Sequence, residues 1–244
     1  MLIGFDIDDG LGFLGGLIAL LFLAYFFAAG IRAIIRSAEA DKKRNQRLKK
    51  LSKSINGSYS PKPMPVNVYF FKPFTGFIRS GEPFLLNTFD TKFKSRHGRV
   101  VVRMGDFRTV VTFQTRGRHV EQISEFSYAL IDLPFNTKGR LLVRPEGIMD
   151  SVATNFGAQD FDFESSEFNR LYLIRGTSKK FAFDVLQPGM MALIMDTKPF
   201  PILIDERRCC ITDASSRWTV DLFQEKLNWI KKFVDAFPAH LAST

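Results

Sequence analysis

The chain has 244 residues, with 34 Lys and Arg against 25 Asp and Glu, and a formal net charge of +9. At 45% hydrophobic and 24% charged, its composition excludes wholesale disorder, and no collagen-like, coiled-coil or short-repeat bias runs through it. Its two cysteines, Cys209 and Cys210, are adjacent, which excludes a disulfide scaffold and agrees with a reducing compartment.

Residues 1–10 hold Asp6, Asp8 and Asp9 and no Lys or Arg. From Leu11 to Ala29 follow 19 uncharged positions, LGFLGGLIALLFLAYFFAA, continued by Gly30 and Ile31 before Arg32. At about 1.5 Å per residue such a run spans roughly 30 Å of hydrocarbon, and a helix satisfies its own backbone groups there. The sequence therefore predicts a transmembrane helix over 11–31, with Leu11, Leu17, Leu21, Phe26 and Phe27 in contact with lipid. The acidic leading segment lacks the positive n-region of a signal peptide, so the anchor is expected to be retained.

Residues 32–53 carry nine bases, Arg32, Arg36, Lys42, Lys43, Arg44, Arg47, Lys49, Lys50 and Lys53, against Glu39 and Asp41. Positive charge collects on the cytoplasmic side of a span, which places residues 1–10 outside and the remainder in the cytoplasm. This collar holds a net +7, the N-terminus −3 and residues 54–244 only +5. The basic balance is thus an orientation signal. It lacks interleaved aromatics or a base-reading module, so no nucleic-acid partner is expected. Lys42, Lys43, Arg44, Arg47, Lys49 and Lys50 are placed to rest on anionic lipid headgroups. Gly12, Gly16, Ala24 and Ala28 follow a four-residue spacing broken by Leu20, the pattern of a close helix–helix seam between two copies.

Residues 32–55 read as a basic helical stalk, with Leu48, Leu51 and Ile55 at helical spacing. The stretch NGSYSPKPMP over 56–65 reads as an extended spacer, because Pro61, Pro63 and Pro65 forbid a helix. Residues 66–244 are long enough for one cored domain. Its aromatic start, with Phe70, Phe71, Phe74 and Phe77, fits either a strand pair or a surface lying on headgroups. Arg99–Arg103 and Thr109–Phe113 are expected as a hairpin turning at Gly105-Asp106, followed by strands near Glu121–Leu133 and Arg140–Val143. A short helix over Glu146–Phe156, a strand over Phe168–Ile174 and helices after Ser178 and from Pro188 follow. Phe200–Ile204 and Arg207–Ile211 close a hairpin, and Val220–Phe237 forms an amphipathic C-terminal helix. The fold class is α+β: one transmembrane helix, then a single soluble domain with antiparallel strands.

LLVRPEGIMD, DFESSEFNRLYLIRG and KKFAFDVLQPGMMALIM, between Leu142 and Asp205, resemble an uncharacterised bacterial family of membrane-anchored proteins with a cytoplasmic domain of unknown function. The matching positions are Glu164 or Glu167, Phe168 and Asn169 on a strand, then Ala182, Asp184, Leu186, Pro188 and Met190 on a helix. The resemblance covers about a quarter of the chain and implies architecture without chemistry.

Motifs of chemistry are sparse. His97, His119 and His240 have no metal-ligand spacing, and phosphate loops and a nucleophile elbow are missing, so no metal or cofactor is expected. Cys209 or Cys210 near His119, with Arg207 and Arg208 beside the thiols to lower their pKa, is one candidate nucleophile arrangement, against core thiols as the ordinary reading. The carboxylates Asp160, Asp162 and Glu164, with Arg170 near, form a second cluster, better read as a solvated strand face. The expected function is a membrane-anchored interaction, scaffold or sensor module with another protein as partner. The alternatives are a membrane-tethered enzyme whose site is scattered in sequence, and an anionic-lipid-binding module.

Overall fold

The computed structural model describes residues 7–66, 82–115, 118–146, 159–213 and 216–242. It divides into two compact units, Met1–Gln46 and Arg47–Thr244. Phe70, Phe71, Phe74 and Phe77, and all but Glu146 of the helix expected at Glu146–Phe156, lie outside the described residues.

The first unit is helical. Helix α1 runs Ile7–Ser54, so Leu11, Gly12, Gly16 and Leu17 all lie on it. Leu20, Leu21, Phe22, Leu23, Tyr25, Phe26 and Phe27 are each 61–72% exposed. The helix is long and apolar enough to cross a membrane, and none of its apolar window is buried. A core helix of a soluble protein would hide that surface. The stalk expected over 32–55 is helical through Ser54.

The second unit begins with the last residues of α1. Leu48 is fully buried, Leu51 and Ile55 are half-buried, and all three pack into the main core. The helix stops at Asn56-Gly57: Asn56 takes a left-handed φ of 53°, and the Gly57 amide donates back to Ser52 O at 2.7 Å. Gly57 is required there, since a Cβ would stand 2.6 Å from Asp90 O. Thr91 Oγ1 donates to Ile55 O at 2.9 Å. The Pro-containing stretch expected as a spacer is extended and enters the sheet, as β1 (Ser58–Ser60) and β2 (Met64–Pro65).

Both pair with β3 (Glu82–Ser95), which pairs with β4 (Gly98–Thr115), itself paired with β5 (Arg118–Asp132). The turn expected at Gly105-Asp106 is corrected: β4 passes straight through it. Gly105 is held in the strand by a β-bulge of β3 at Asn87-Thr88, where a Cβ would come 2.9 Å from Leu86 O. The Asp106 carboxylate turns inward onto donors instead of capping a turn.

Then come β6 (Arg140–Pro145), β7 (Gln159–Asp160), α2 (Ser166–Leu171), β8 (Tyr172–Gly176), α3 (Lys179–Val185), α4 (Pro188–Met195), β9 (Ile202–Asp205), β10 (Arg208–Thr212), α5 (Val220–Asp235) and α6 (Ala239–Ala242). The strand expected at Phe168–Ile174 is half correct, for its first residues form α2. Ser165 Oγ caps it by accepting from Phe168 N, and the side chain of Asn169 brackets Phe163 through two backbone bonds, so local polar contacts override the alternating pattern. The family-like Phe168 and Asn169 accordingly sit on a helix. Ser178 caps α3 and Pro188 occupies the first turn of α4.

The strands form one antiparallel sheet in the order β1-β3-β4-β5-β10-β9-β6-β8-β7. Neighbouring residues of a strand face opposite ways, and both faces are buried. Ile131, Leu141, Ile204 and Cys209 join the larger core with α2–α5, whereas Leu130, Leu142, Leu203 and Cys210 join a second core with Phe107 stacked on Phe126. On α5, Val220, Phe223, Leu227, Ile230 and Val234 are buried while Asp221, Glu225, Lys231 and Lys232 are exposed. The architecture is α+β, as the sequence indicates.

Candidate functional site

The thiols and His119 are not brought together. Cys209 is fully buried and Cys210 3% exposed, both in β10 at the sheet centre. Burial pushes both thiols well above the usual range, and for Cys209 the neighbouring thiol adds to it. His119 lies near the far end of β5. Cys209 pairs with Ile131, twelve residues along that strand, so the imidazole and thiol are separated by roughly 40 Å. These thiols are core side chains, with the reactive thiolate disfavoured.

The acidic run is also dispersed. Asp160 pairs across the strands with Arg175, whose Nε donates to its carboxylate at 2.5 Å, so Arg175 rather than Arg170 is its partner. Phe161 and Phe163 are buried while Asp162 and Glu164 are exposed. Among the described residues no three His, Cys, Asp or Glu side chains are grouped to hold a metal ion.

Two buried polar features escaped sequence reasoning. The carboxylate of Asp106, 1% exposed, accepts from Ser127 Oγ at 2.6 Å and from Asn87 Nδ2 at 3.0 Å. Tyr59 OH donates to Asn87 Oδ1 at 3.1 Å, and Ser127 Oγ accepts from Trp218 N at 2.8 Å. This network fastens the bulge, β1 and the entry to α5 together. The second is Lys226, only 7% exposed on the apolar side of α5, with Nζ 3.3 Å from the ring centre of Phe200 and 6.0 Å from that of Trp218. An isolated lysine at a core-facing helical position is the signal that finds it.

The accessible features are surfaces. Lys42, Lys43, Lys49 and Lys50 are exposed on α1, as is Arg47, which donates to Asp221 at 2.9 Å and 3.1 Å; Arg44 is half-buried. The β4–β5 hairpin forms an arm. Pairing with β3 stops at Val110 and pairing with β10 starts at Tyr128, so beyond those points the two strands pair only with each other among the described residues. The arm extends roughly 17 Å past the last β3 pair. It carries Phe113 (42% exposed) opposite Val120 (41%) on one face and Ile123 (56%) on the other. Arg118 and His119, near its tip, are exposed.

Across the other end of the sheet runs a ladder of charge. Arg140, Asp205, Arg208 and Asp132 are direct cross-strand neighbours on one face, tied by Arg140–Asp205 at 3.0 Å and Arg208–Asp132 at 3.1 Å. Arg103 donates to Asp90 on the next rung at 2.7 Å and 2.9 Å, and that bond raises its pKa further.

No protein-family model matches the chain, and no curated protein matches it by sequence. Among solved structures it is similar to the mycobacterial trehalose monomycolate transport factor A, TtfA, at 11% identity and a TM-score of 0.49, covering 80% of this chain and 96% of that one.

Proposed function

We propose that the protein is a single-pass membrane protein, its N-terminus outside and its C-terminal domain in the cytoplasm, and that this domain binds another protein. The observation carrying the reading is the apolar stretch of α1, none of whose described window is buried, followed by the basic collar from Arg32 to Lys53. Lys42, Lys43, Arg44, Arg47, Lys49 and Lys50 rest on anionic headgroups, and Gly12, Gly16, Ala24 and Ala28 let two copies approach within the bilayer. The domain's contribution is the β4–β5 arm, whose exposed Phe113, Val120 and Ile123 offer apolar side chains, on strands that pair there only with each other among the described residues.

The native thiols are buried, so topology is read with introduced cysteines, Asp8→Cys and Lys62→Cys. In sealed right-side-out vesicles an impermeant maleimide is expected to label the first and to reach the second only after permeabilisation. Labelling of Lys62→Cys in sealed vesicles overturns the orientation. Loss of the protein from carbonate-washed membranes overturns the anchor.

A further inference from the structure

The charge ladder is balanced along most of the sheet and fails at one corner. Its end rung continues from Asp132 through Val101 to Lys92. Two residue pairs further on, toward the β3–β4 turn, Lys94 stands directly opposite Arg99. Cross-strand partners hold their Cβ atoms about 5 Å apart, and like charges so placed repel. Lys92 is two residues along the same strand, roughly 7 Å away and on the same face. Three exposed cations therefore share one patch.

The acids nearby are engaged elsewhere. Asp90 holds Arg103, Asp132 holds Arg208, and Asp235 accepts from the Arg96 amide at 2.8 Å. Among the described residues Lys92, Lys94 and Arg99 have no carboxylate partner. Lys92, Phe93, Lys94, Gly98 and Arg99 line an open cleft of about 480 Å³. An open cleft bordered by cations that repel one another is suited to an anion that bridges them.

We infer that this cleft binds the phosphate headgroup of an anionic phospholipid, with Lys92, Lys94 and Arg99 on the phosphate oxygens. The 39%-exposed Val101, on the same face, places apolar surface beside the charges, which suits a glycerol ester and not free phosphate. The lipid as source rests on the membrane-anchored reading; the cation cluster does not. The site is separate from the collar of α1.

The full chain is assembled into phosphatidylcholine nanodiscs, with a bimane on Val101→Cys reporting from the cleft. Failure to enter the discs overturns the anchor alone. The discs are titrated with dihexanoyl phosphatidic acid, dihexanoyl phosphatidylcholine and inorganic phosphate. The expected result is a saturable shift with phosphatidic acid only, weakened roughly 100-fold in Lys92→Ser/Lys94→Ser/Arg99→Ser. It is expected to persist in Lys62→Ser/Lys180→Ser/Arg207→Ser, which removes the same charge elsewhere, and in the charge-conserving Lys94→Arg. Removing the Lys94–Arg99 repulsion does not unfold the sheet, so a wild-type urea midpoint accompanies the loss. Equal affinity for inorganic phosphate overturns the lipid assignment. Unchanged binding in the first triple variant, or equal loss in the second, overturns the site.

Discussion

Replacing Lys226 by Met is predicted to stabilise the domain at neutral pH. Lys226 is 7% exposed, and burial pulls its pKa from 10.5 down to about 8, against the opposing pull of Asp213 and Glu225 and with a smaller push from Lys198. For a base, a depressed pKa means that the folded state holds the proton less readily than the unfolded chain. Below pH 8 the ammonium is charged in both states and the fold bears its desolvation. Between about pH 8 and 10.5 the folded state sheds that charge first, so this group makes stability rise with pH. The difference is worth up to about 3 kcal/mol. Contact with the Phe200 ring returns part of it in the wild type, leaving a net gain of about 1–2 kcal/mol for Lys226→Met at pH 7. Trp218 and Trp229 are the only two tryptophans, and both lie in the Arg47–Thr244 unit. Urea unfolding in zwitterionic micelles, followed by their fluorescence, therefore reads this unit alone. Cys209, Cys210 and Tyr128 are buried with raised pKa values, so they weaken the fold at alkaline pH in both proteins. The informative quantity is the difference between variant and wild type, which should shrink and then reverse sign, to about 1–2 kcal/mol in favour of wild type, above pH 10. A variant less stable at pH 7, or a difference that stays constant with pH, refutes the reasoning.

Asp106→Ala should cost about 3–5 kcal/mol by the same unfolding measurement, because it takes the buried acceptor from Ser127 Oγ and Asn87 Nδ2, removes a carboxylate 3.6 Å from Arg217, and leaves a cavity. Native Cys209 and Cys210 should react with a thiol reagent only at the rate of unfolding, and a fast stoichiometric burst under native conditions would contradict their placement. Phe113→Ser and Ile123→Ser should each shift stability by less than about 0.5 kcal/mol, while Phe107→Ser, two rungs into the second core, should cost roughly 3 kcal/mol or more. The same two arm variants should abolish adducts from a photocrosslinker at Val120, which a bystander arm would leave unchanged.

The elements most legible in the sequence were those whose signal is local. The charge-free run, the nine bases after it, the cap Ser178, the helix-opening Pro188, and the hairpin joining β9 to β10 all depend on near neighbours. Gly105-Asp106 misleads because its partners, Asn87 and Ser127, come from adjoining strands and turn a turn-like dipeptide into a strand interior. FNRLYLI misleads because a capping serine three residues before it outweighs its alternation. The order of strands is invisible locally, for β10 inserts beside β5 across 76 residues. In the candidate sites, the collar was legible as composition. The opposition of Lys94 to Arg99 exists only once the β3–β4 register is known.

That insertion also sets a timetable for synthesis. β3, β4 and β5 can zip together as soon as they are made, but the inner edge of β5 waits for Arg208–Thr212. At about 5–20 residues per second, the 76 intervening residues take roughly 4–15 s to translate. Throughout that interval Ala129, Leu130 and Ile131 lie along an unpaired strand edge, in a half-made sheet prone to mispairing. The nascent chain thus passes through its most aggregation-sensitive stage after its N-terminal helix has been made, and the emergence of β10 ends it.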